Sequence, residues 1–294
     1  MNRRNFIKLA SIVGLSTTSA MNNLNAFTKT VSNWEDTDAT MPVIFIGHGA
    51  PLYTLNDNKY SNAWKKIGQT VPRPKAILSI SAHWLTPGKT LITAAPKPPT
   101  IHDFGRIDNR LFEMQYPAPG DPNLAQEITQ NISKVAVGLD HDWGFDHGTW
   151  CVLHHMFPMA DIPVLQFSID YNQGAAYHFE LASQLSFLRK KGVLIIGSGN
   201  IVHNLRQLKF PETAGYDWAI EFDETAKGLM DKGDFKSLLN YEKLGRAAQL
   251  SIPTPDHYFP LIYTLGLKSE KDNISYPIEG ISYGSTSMRS VLIQ

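Results

Sequence analysis

Cysteine is nearly absent from this sequence, since Cys151 is the single one among 294 residues. One thiol cannot form an internal disulfide, and no CxxC pair is present to build a zinc ribbon or a redox motif. Any metal that the chain binds must therefore be held by histidine and oxygen ligands. Ten histidines are available for that purpose.

An excess of charge of either sign is also missing. Lys+Arg and Asp+Glu both number 27, and the sequence pI is about 7.2. Surfaces that bind nucleic acids or anionic membranes normally carry a surplus of basic residues. The balance therefore argues against nucleic acid and membrane as partners and favours a small molecule. Oligomeric state leaves no signal in the composition.

A long hydrophobic run is lacking too, because no stretch reaches the roughly 20 apolar residues of a transmembrane helix. The N-terminus instead carries Arg3 and Arg4, followed by a short, mildly apolar run from Leu9 to Leu15 and small residues at 18–20. This pattern resembles a twin-arginine signal with a cleavage site. Residues 1–26 are therefore interpreted as a signal peptide, and the protein is predicted to be exported or periplasmic. The alternative is an amphipathic or disordered tail.

The rest of the chain has the composition of one folded domain. Hydrophobic residues make up 43% of the sequence, enough for a full core at this length. Residues 27–40 are polar and without periodicity, so they are interpreted as a linker. Residues 41–294 show no internal repeat and no second hydrophobic core, and they are predicted to form a single catalytic domain.

Four short apolar runs rich in β-branched residues predict buried strands. They cover residues 42–47, 76–82, 163–169 and 192–197. Near-continuous hydrophobicity is typical of strands that helices cover on both faces. Residues 175–191, between the last two runs, have apolar side chains at helical spacing and predict a βαβ unit.

Further helices are predicted over residues 218–231 and 235–249, and the Pro- and Gly-rich stretch 84–122 predicts a long functional loop. The fold class is therefore α/β. We expect a single domain with a central, mostly parallel or mixed sheet flanked by helices.

Three histidines follow predicted strands directly or closely. His48 ends the first strand, His83 ends the second, and His203 follows the fourth. Any one of them alone is more often a satisfied core histidine, but ligands of open α/β sheets gather at the carboxyl ends of the strands. The repeated placement therefore predicts a metal site at the C-terminal ends of the strands.

Two further histidines are candidates for the same site. His257 lies in a proline-stiffened segment, where Asp256 is expected to cap the helix that follows. His147 lies between Asp146, which is expected to orient its ring, and Gly148, which would leave room for a substrate. His147 is therefore interpreted as an acid/base group, with a solvated surface position as the alternative.

Other histidines carry less weight. His102 belongs to the long loop, where a loop-stabilising role is favoured over a place in the pocket. His178 and Glu180 form an HxE pair, but two residues of a helix that are two positions apart point about 200° apart. We therefore reject that pair as metal ligands.

The separated motifs of the chain resemble those of a known family. In order they are GHGAP, SAHW, PPTIHDF, GFDHGTW, GSGNIVHN and PTPDHY, at residues 47–51, 81–84, 98–104, 144–150, 197–204 and 253–258. Together they are similar to the class III extradiol ring-cleavage dioxygenases of the LigB-like superfamily, in the branch of the DOPA-type enzymes. The similarity runs from about residue 42 to the C-terminus.

This resemblance implies a mononuclear non-haem Fe(II) enzyme, often found with Zn(II) in its place, that opens a catechol ring with O₂. It places the metal on His48 and His83, with His257 and His203 at the other metal-proximal positions. The acid/base group falls on His147 or His203, and which of the two roles His203 has stays open. Aromatic residues near the motifs, Trp84, Phe104 and Trp150, are candidates for walls of the pocket.

The chain departs from the common extradiol pattern at one position. Many of these enzymes bind the metal with two histidines and one carboxylate, whereas the matching position here is His257. A neutral imidazole leaves the site a full 2+ charge, which favours zinc occupancy. A zinc-dependent hydrolase on the same histidines is therefore the alternative function, and a non-catalytic metal-binding protein is a third.

A serine hydrolase is suggested by a GxSxG string at residues 280–284. In α/β-hydrolases the catalytic histidine follows the serine, and no histidine lies after His257. We therefore attribute the string to chance.

Overall fold

The computed structural model describes residues 36–37 and 39–294. The predicted signal peptide, residues 1–26, and most of the predicted linker, residues 27–40, lie outside the described residues. From Thr37 to Gln294 the chain forms one compact unit. Within the described part, no helix is both long enough and apolar enough to cross a bilayer.

Twelve strands and ten α-helices are assigned among the described residues. The strands are β1 (Val43–Gly47), β2 (Ala76–Ser81), β3 (Leu85–Thr86), β4 (Thr90–Thr93), β5 (Val137–Asp140), β6 (Val164–Gln166), β7 (Ile169–Asp170), β8 (Val193–Gly199), β9 (Ile274–Ile278), β10 (Ile281–Ser282), β11 (Thr286–Ser287) and β12 (Ser290–Ile293). The helices are α1 (Lys59–Thr70), α2 (Asn109–Glu113), α3 (Pro122–Asn131), α4 (His147–Met156), α5 (Ala175–Ser183), α6 (Phe187–Lys190), α7 (Asp217–Asp231), α8 (Phe235–Leu239), α9 (Arg246–Ser251) and α10 (Phe259–Gly266).

A six-stranded mixed sheet forms the centre of the domain, in the order β6-β2-β8-β1-β12-β9. The first four strands of this order run parallel, and β12 and β9 are antiparallel to their neighbours. The α/β class with a mostly parallel or mixed central sheet is thereby confirmed. Because β1, β2 and β8 are adjacent and parallel, the segments that follow them emerge at the same edge of the sheet.

Helices cover both faces of this sheet, as the apolar strands require. Ile44 and Ile46 of β1 belong to a buried cluster with Trp64 of α1 and Trp150 of α4. On β8, a Cβ at Gly197 would meet the carbonyl of Pro260 in α10, which packs on the opposite face. Alternate residues of a strand point to opposite faces of the sheet. One set of strand residues therefore packs against α1 and α4, and the other set packs against α10.

Three predicted elements are interrupted in the structure. The run 163–169 divides into β6 and β7, because the backbone N–H of Ser168 bonds to Leu91 and no longer to the main sheet. The helix predicted over 175–191 divides into α5 and α6. The helix predicted over 235–249 divides around Gly245, whose φ of +93° lies outside the helical region.

The stretch 84–122 was predicted to be a loop, and this was wrong in part. It contains β3, β4 and α2 and ends at the start of α3. Its strands pair in parallel with β7 and β5, which are distant in sequence. The pairing anchors a segment whose proline content alone indicates irregular structure.

His178 is buried in the helical layer. Its Nδ1 lies 3.0 Å from the hydroxyl of Tyr263, and Glu180 points away to form an ion pair with Lys134. The two side chains of the HxE pair thus face different surroundings. Burial lowers the pKa of His178 from 6.5 to about 4, although Asp170 nearby acts in the opposite direction.

This buried histidine is expected to make stability pH-dependent. Between pH 6.5 and about 4 the unfolded chain binds a proton at His178 that the folded chain does not, so the free energy of unfolding falls as the pH is lowered. The contribution approaches about 1.4 kcal/mol per pH unit. Urea unfolding between pH 7.5 and 4.5 should give a shallower pH dependence for His178→Gln than for the wild type. His141→Gln at an exposed turn is the control, and equal slopes for all three proteins would contradict the prediction.

Candidate metal centre

The ends of three adjacent strands bring His48 and His83 together. The backbone N–H of His48 donates to the carbonyl of Gly199 at 3.1 Å, and that of Ala82 donates to Ser198 at 3.0 Å. These bonds continue the ladders of β1 and β2 along both sides of β8. His48 and His83 therefore leave the sheet at the same level, on either side of its central strand.

His257 joins them because α10 packs directly on β8. A Cβ at Gly199 would overlap the carbonyl oxygen of His257, so glycine is required for this approach. The same carbonyl accepts a hydrogen bond of 2.9 Å from the backbone N–H of Asn200. The segment before α10 is thus fixed against the strand end that also supports His48.

The three imidazoles form a compact group in which one ring nitrogen of each lies within 4.8 Å of the others. The Nε2 atoms of His48 and His83 are 3.3 Å apart. Two nitrogens bound at about 2.05 Å with a tetrahedral angle would be separated by about 3.3 Å. The spacing therefore fits two ligands of one metal ion.

Each of the three rings has a partner on Nδ1. The hydroxyl of Ser198 donates to the carbonyl of Gly148 at 2.5 Å, so it accepts the bond of 2.9 Å from Nδ1 of His48. Nδ1 of His83 lies 3.3 Å from Oδ2 of Asp103, and Nδ1 of His257 contacts Asp256. A proton on each Nδ1 leaves the lone pair on Nε2, which is how outer partners prepare histidines for a metal.

Burial keeps these histidines neutral. His48 and His257 are only 3% and 6% exposed, and burial followed by mutual repulsion lowers both pKa values well below 6.5. Burial also lowers the pKa of His83 to about 3, despite the nearby charge of Asp103. Neutral imidazoles are the form that binds transition metals. The donor set consequently fits a divalent ion such as zinc or iron.

His147 lies beside this group at the first position of α4. Its ring centroid is 3.9 Å from that of His83 and 5.6 Å from that of His48. Nδ1 of His147 is 3.0 Å from Oδ1 of Asp103, which also accepts from the backbone N–H of His147 at 2.9 Å. The solvated surface alternative does not apply, since His147 is 7% exposed.

The expected roles of the neighbours of His147 were wrong. Asp146 does not orient the ring, because its carboxylate caps α4 at Thr149 and accepts from Ser81 and Gln166. Burial, and then the charge of Asp103, raises the pKa of Asp146 to about 6. Gly148 leaves no room for a substrate either, since a Cβ there would lie 2.6 Å from the Ser81 hydroxyl. Asp103 holds the ring, and Gly148 permits close packing against β2.

His203 lies next to the three-histidine group but outside it. Its ring stacks on that of His257 with centroids 3.4 Å apart and an interplanar angle of 11°. Its backbone N–H donates to Ser251 at 2.9 Å. Burial lowers the pKa of His203 to about 4, against the nearby charge of Asp256, so this ring is neutral at pH 7.

Three side chains that contact the site histidines were not predicted for that role. Asp103 and Ser198 lie in two of the family-like motifs. They are 44 and 150 residues away in sequence from His147 and His48, so nothing in the sequence indicates these contacts. Asp256 was predicted to cap α10, which was wrong. The capping position is Tyr258, without a side-chain cap, and Asp256 bonds to His257 instead.

The aromatic candidates divide between pocket and core. Phe104 packs edge-on against His147 with centroids 5.5 Å apart, so it borders the site. Trp84 stacks on Trp143, and the indole of Trp150 donates to the carbonyl of Ile101. His102 bonds to the carbonyl of Met114 at 3.0 Å and stabilises the loop, as expected.

The serine of the GxSxG string is part of a different cluster. Ser282 is buried, and its hydroxyl contacts Tyr53 and Glu212. These partners are not a histidine base, which agrees with the reading of that string as chance.

Comparison with known proteins gives concordant matches. The family described as "Catalytic LigB subunit of aromatic ring-opening dioxygenase" matches residues 42–288. A protein of Escherichia coli K12 named 4,5-DOPA dioxygenase extradiol is 46% identical over 86% of this chain and 94% of its own length. Proteins of the same name from Portulaca grandiflora and Beta vulgaris are 35% and 34% identical over 77% and 86% of this chain. They are covered over 86% and 98% of their lengths.

A solved structure has the same fold. The crystal structure of an uncharacterized protein from Escherichia coli K12 superimposes with a TM-score of 0.76 at 43% sequence identity. The match covers 86% of this chain and all of that chain. With a family match that spans most of the sequence and relatives above 30% identity, the resemblance of the motifs is confirmed. The chain is an extradiol ring-cleavage dioxygenase and belongs to the LigB family of aromatic ring-opening dioxygenases.

Proposed function

We propose that the chain opens the ring of a catechol that bears an amino acid side chain, of the DOPA type, with non-haem Fe(II) and O₂. The substrate class follows from the names of the relatives at 34–46% identity. The observation that carries the metal assignment is the group of His48, His83 and His257, each with Nδ1 in contact with a polar partner. We assign these three residues as the ligands.

When bound, iron would supply a site for both catechol oxygens and for O₂, and would pass electron density from the ring to oxygen. Three neutral histidines also bind zinc well, so purified protein is expected to contain zinc, iron or both. The alternative zinc hydrolase would use the same three ligands, and the oxygen dependence of the reaction separates the two functions.

The protein's own contribution is to hold and move protons beside the metal. A catechol must lose phenolic protons to chelate a metal, and a nearby base accepts one of them. His147 is suited to this role, because Asp103 bonds its Nδ1 and leaves Nε2 as the acceptor. His203, whose ring stacks on that of His257 and whose pKa is lowered to about 4, is the other candidate base.

Phe104 places an apolar ring beside His147. An aromatic side chain at this place favours a planar ring and limits access of water to the acid/base group. The site therefore offers neutral ligands, an oriented base and an apolar wall, which together suit a catechol better than a hydrolysable ester or amide.

The proposal is tested by metal analysis followed by turnover. Protein purified without chelator is analysed for zinc and iron, stripped, and reloaded anaerobically with either metal. A panel of catechols with and without an amino acid side chain is then scored for yellow ring-opened product and for O₂ consumption. We expect one metal per chain and O₂-dependent product with iron. Absence of product from every catechol, with hydrolysis by the zinc form, would replace the proposal with the alternative.

We also propose that the protein is exported through a twin-arginine signal, on the basis of Arg3, Arg4 and the weakly apolar run that follows. Export of a folded protein would allow the metal to be inserted before translocation. Changing Arg3→Lys together with Arg4→Lys is expected to retain the precursor in the cytoplasm and to leave purified activity unchanged. Fractionation of expressing cells gives the measurement. Delivery of the double variant to the periplasm at the wild-type level would contradict this proposal.

A further inference from the structure

One carboxylate, that of Asp103, contacts two of the site histidines. Oδ1 accepts from the backbone N–H of His147 at 2.9 Å and from its ring Nδ1 at 3.0 Å. Oδ2 lies 3.3 Å from Nδ1 of His83. The side chain of Asp103 is 20% exposed, so solvent reaches this position. Asp103 is thus the connection between an assigned metal ligand and the assigned acid/base.

We infer that Asp103 is a positioning residue that sets the tautomers of His83 and His147 together, an inference that rests on the proposed function. An ionised carboxylate only accepts hydrogen bonds, so Asp103 favours the proton on Nδ1 of His147, to which it is hydrogen-bonded, and of His83, which it contacts at 3.3 Å. Both then present an unprotonated Nε2, one to the metal and the other to the substrate. One side chain thereby sets the tautomer of the proposed metal ligand His83 and of the proposed base His147.

The two oxygens of Asp103 have different partners, since Oδ1 faces His147 and Oδ2 faces His83. Replacement by asparagine therefore changes the two contacts differently and tests the inference. The backbone N–H of His147 can only donate, so the carbonyl oxygen of Asn at position 103 must remain on the His147 side. The amide NH₂ then faces Nδ1 of His83, where it needs an acceptor. The proton of His83 moves to Nε2, and the ring loses the lone pair that binds metal.

Alanine at the same position acts differently. It leaves space into which water enters, and water accepts from Nδ1–H of both rings without forcing either tautomer. His83 therefore remains competent to bind metal, whereas His147 loses the carboxylate that orients it. The Asn variant should consequently lose mainly metal affinity, and the Ala variant should lose mainly turnover per bound metal.

Asp103→Asn is expected to weaken metal binding about 10–100-fold, the usual effect of losing an outer partner of a ligand. Its kcat per bound metal should stay near the wild-type value. Asp103→Ala is expected to weaken metal binding less than Asp103→Asn does, but to lower kcat per bound metal about 10–100-fold. Titration of the metal-free proteins with Zn²⁺ gives the affinity, and turnover of iron-loaded protein is normalised to measured metal.

The tautomers are observable directly in the metal-free protein. Long-range ¹H–¹⁵N spectra distinguish Nδ1–H from Nε2–H, and we expect His83 to change to Nε2–H in Asp103→Asn alone. Asp108→Asn is the matched control, because Asp108 caps α2 in the same loop region and pairs with Arg110. It removes the same charge and should leave affinity, turnover and tautomers unchanged.

The outcomes separate this inference from the proposed function. If Asp103→Ala is more damaging than Asp103→Asn to metal binding and to turnover alike, Asp103 only stabilises the loop, and the inference is overturned. Wild-type affinity and turnover in both variants would overturn it equally, with the proposed function intact. If the wild type neither binds metal nor opens catechols, the proposed function fails, and the tautomer spectra still decide whether Asp103 positions both rings.

Discussion

His48→Ala is expected to yield folded protein that purifies almost free of metal and opens no catechol. On the proposed assignment, His48 supplies one of three neutral imidazole donors, and its Nε2 lies 3.3 Å from Nε2 of His83. With two donors left, the loss of metal affinity should exceed the roughly 100-fold that follows removal of an outer partner. Turnover per chain should then fall below detection, since the proposed reaction with O₂ requires a bound metal.

The measurement is metal content per chain beside kcat on one catechol, with thermal unfolding as a check of the fold. His141→Ala is a suitable control, because that histidine is exposed and is not among the three grouped histidines. Adding iron at high concentration should restore part of the activity only if the remaining two ligands still bind it. A His48→Ala protein with a full complement of metal would mean that the ion is bound elsewhere.

The strand-end histidines could be predicted from the sequence because their placement follows from the fold class. A parallel α/β sheet collects its ligand groups at one edge, so His48 and His83 were expected to meet there. The contribution of His257 depends on the packing of α10 against Gly199. No periodicity of the sequence encodes that contact, and the assignment of His257 relied on the motif resemblance.

The hydrogen-bond partners of the histidines could not be predicted from the local sequence pattern. Asp146 adjoins His147 in sequence and was the natural choice, yet a residue that caps a helix directs its side chain to the backbone two or three positions ahead. Asp103 reaches His147 from a segment that long-range strand pairing anchors. Contacts of that kind require the three-dimensional fold, and the broken helix at Gly245 shows the same limit for secondary structure.

The positions of Asp103 and Asp256 also matter for a proposed ligand set that consists of three histidines and no carboxylate. Three imidazoles leave a divalent ion with its full charge, whereas a carboxylate ligand would offset part of it. Here Asp103 and Asp256 lie one step away, in contact with Nδ1 of His83 and of His257. On the proposed ligand set, two carboxylates at that distance would offset part of the charge of a bound metal and strengthen the rings as donors. On that assignment the outer carboxylates would perform, from a second layer, part of the role of a ligating carboxylate.

His147→Ala is expected to keep its metal and to lose about 10²–10⁴-fold in kcat, the usual effect of removing a positioned acid/base. Its ring lies beside His83 and His48, but its Nδ1 is bonded to Asp103, and the proposed ligands are three other histidines. Without this imidazole the phenolic proton has no oriented acceptor on that side of the pocket. Metal affinity should stay within a few fold of the wild type, because each ligand keeps its own outer partner.

Comparison of His147→Ala with His48→Ala separates the two roles, since the first should lose turnover alone and the second should lose turnover and metal together. Exogenous imidazole gives a further readout, because a small base that enters the vacated space should restore part of the turnover in His147→Ala. If His147→Ala purifies without metal, the residue is a ligand and the three-histidine assignment is incomplete. If it turns over normally, His203 is the acid/base, and its position stacked on His257 at 3.4 Å makes His203→Ala the next variant to measure.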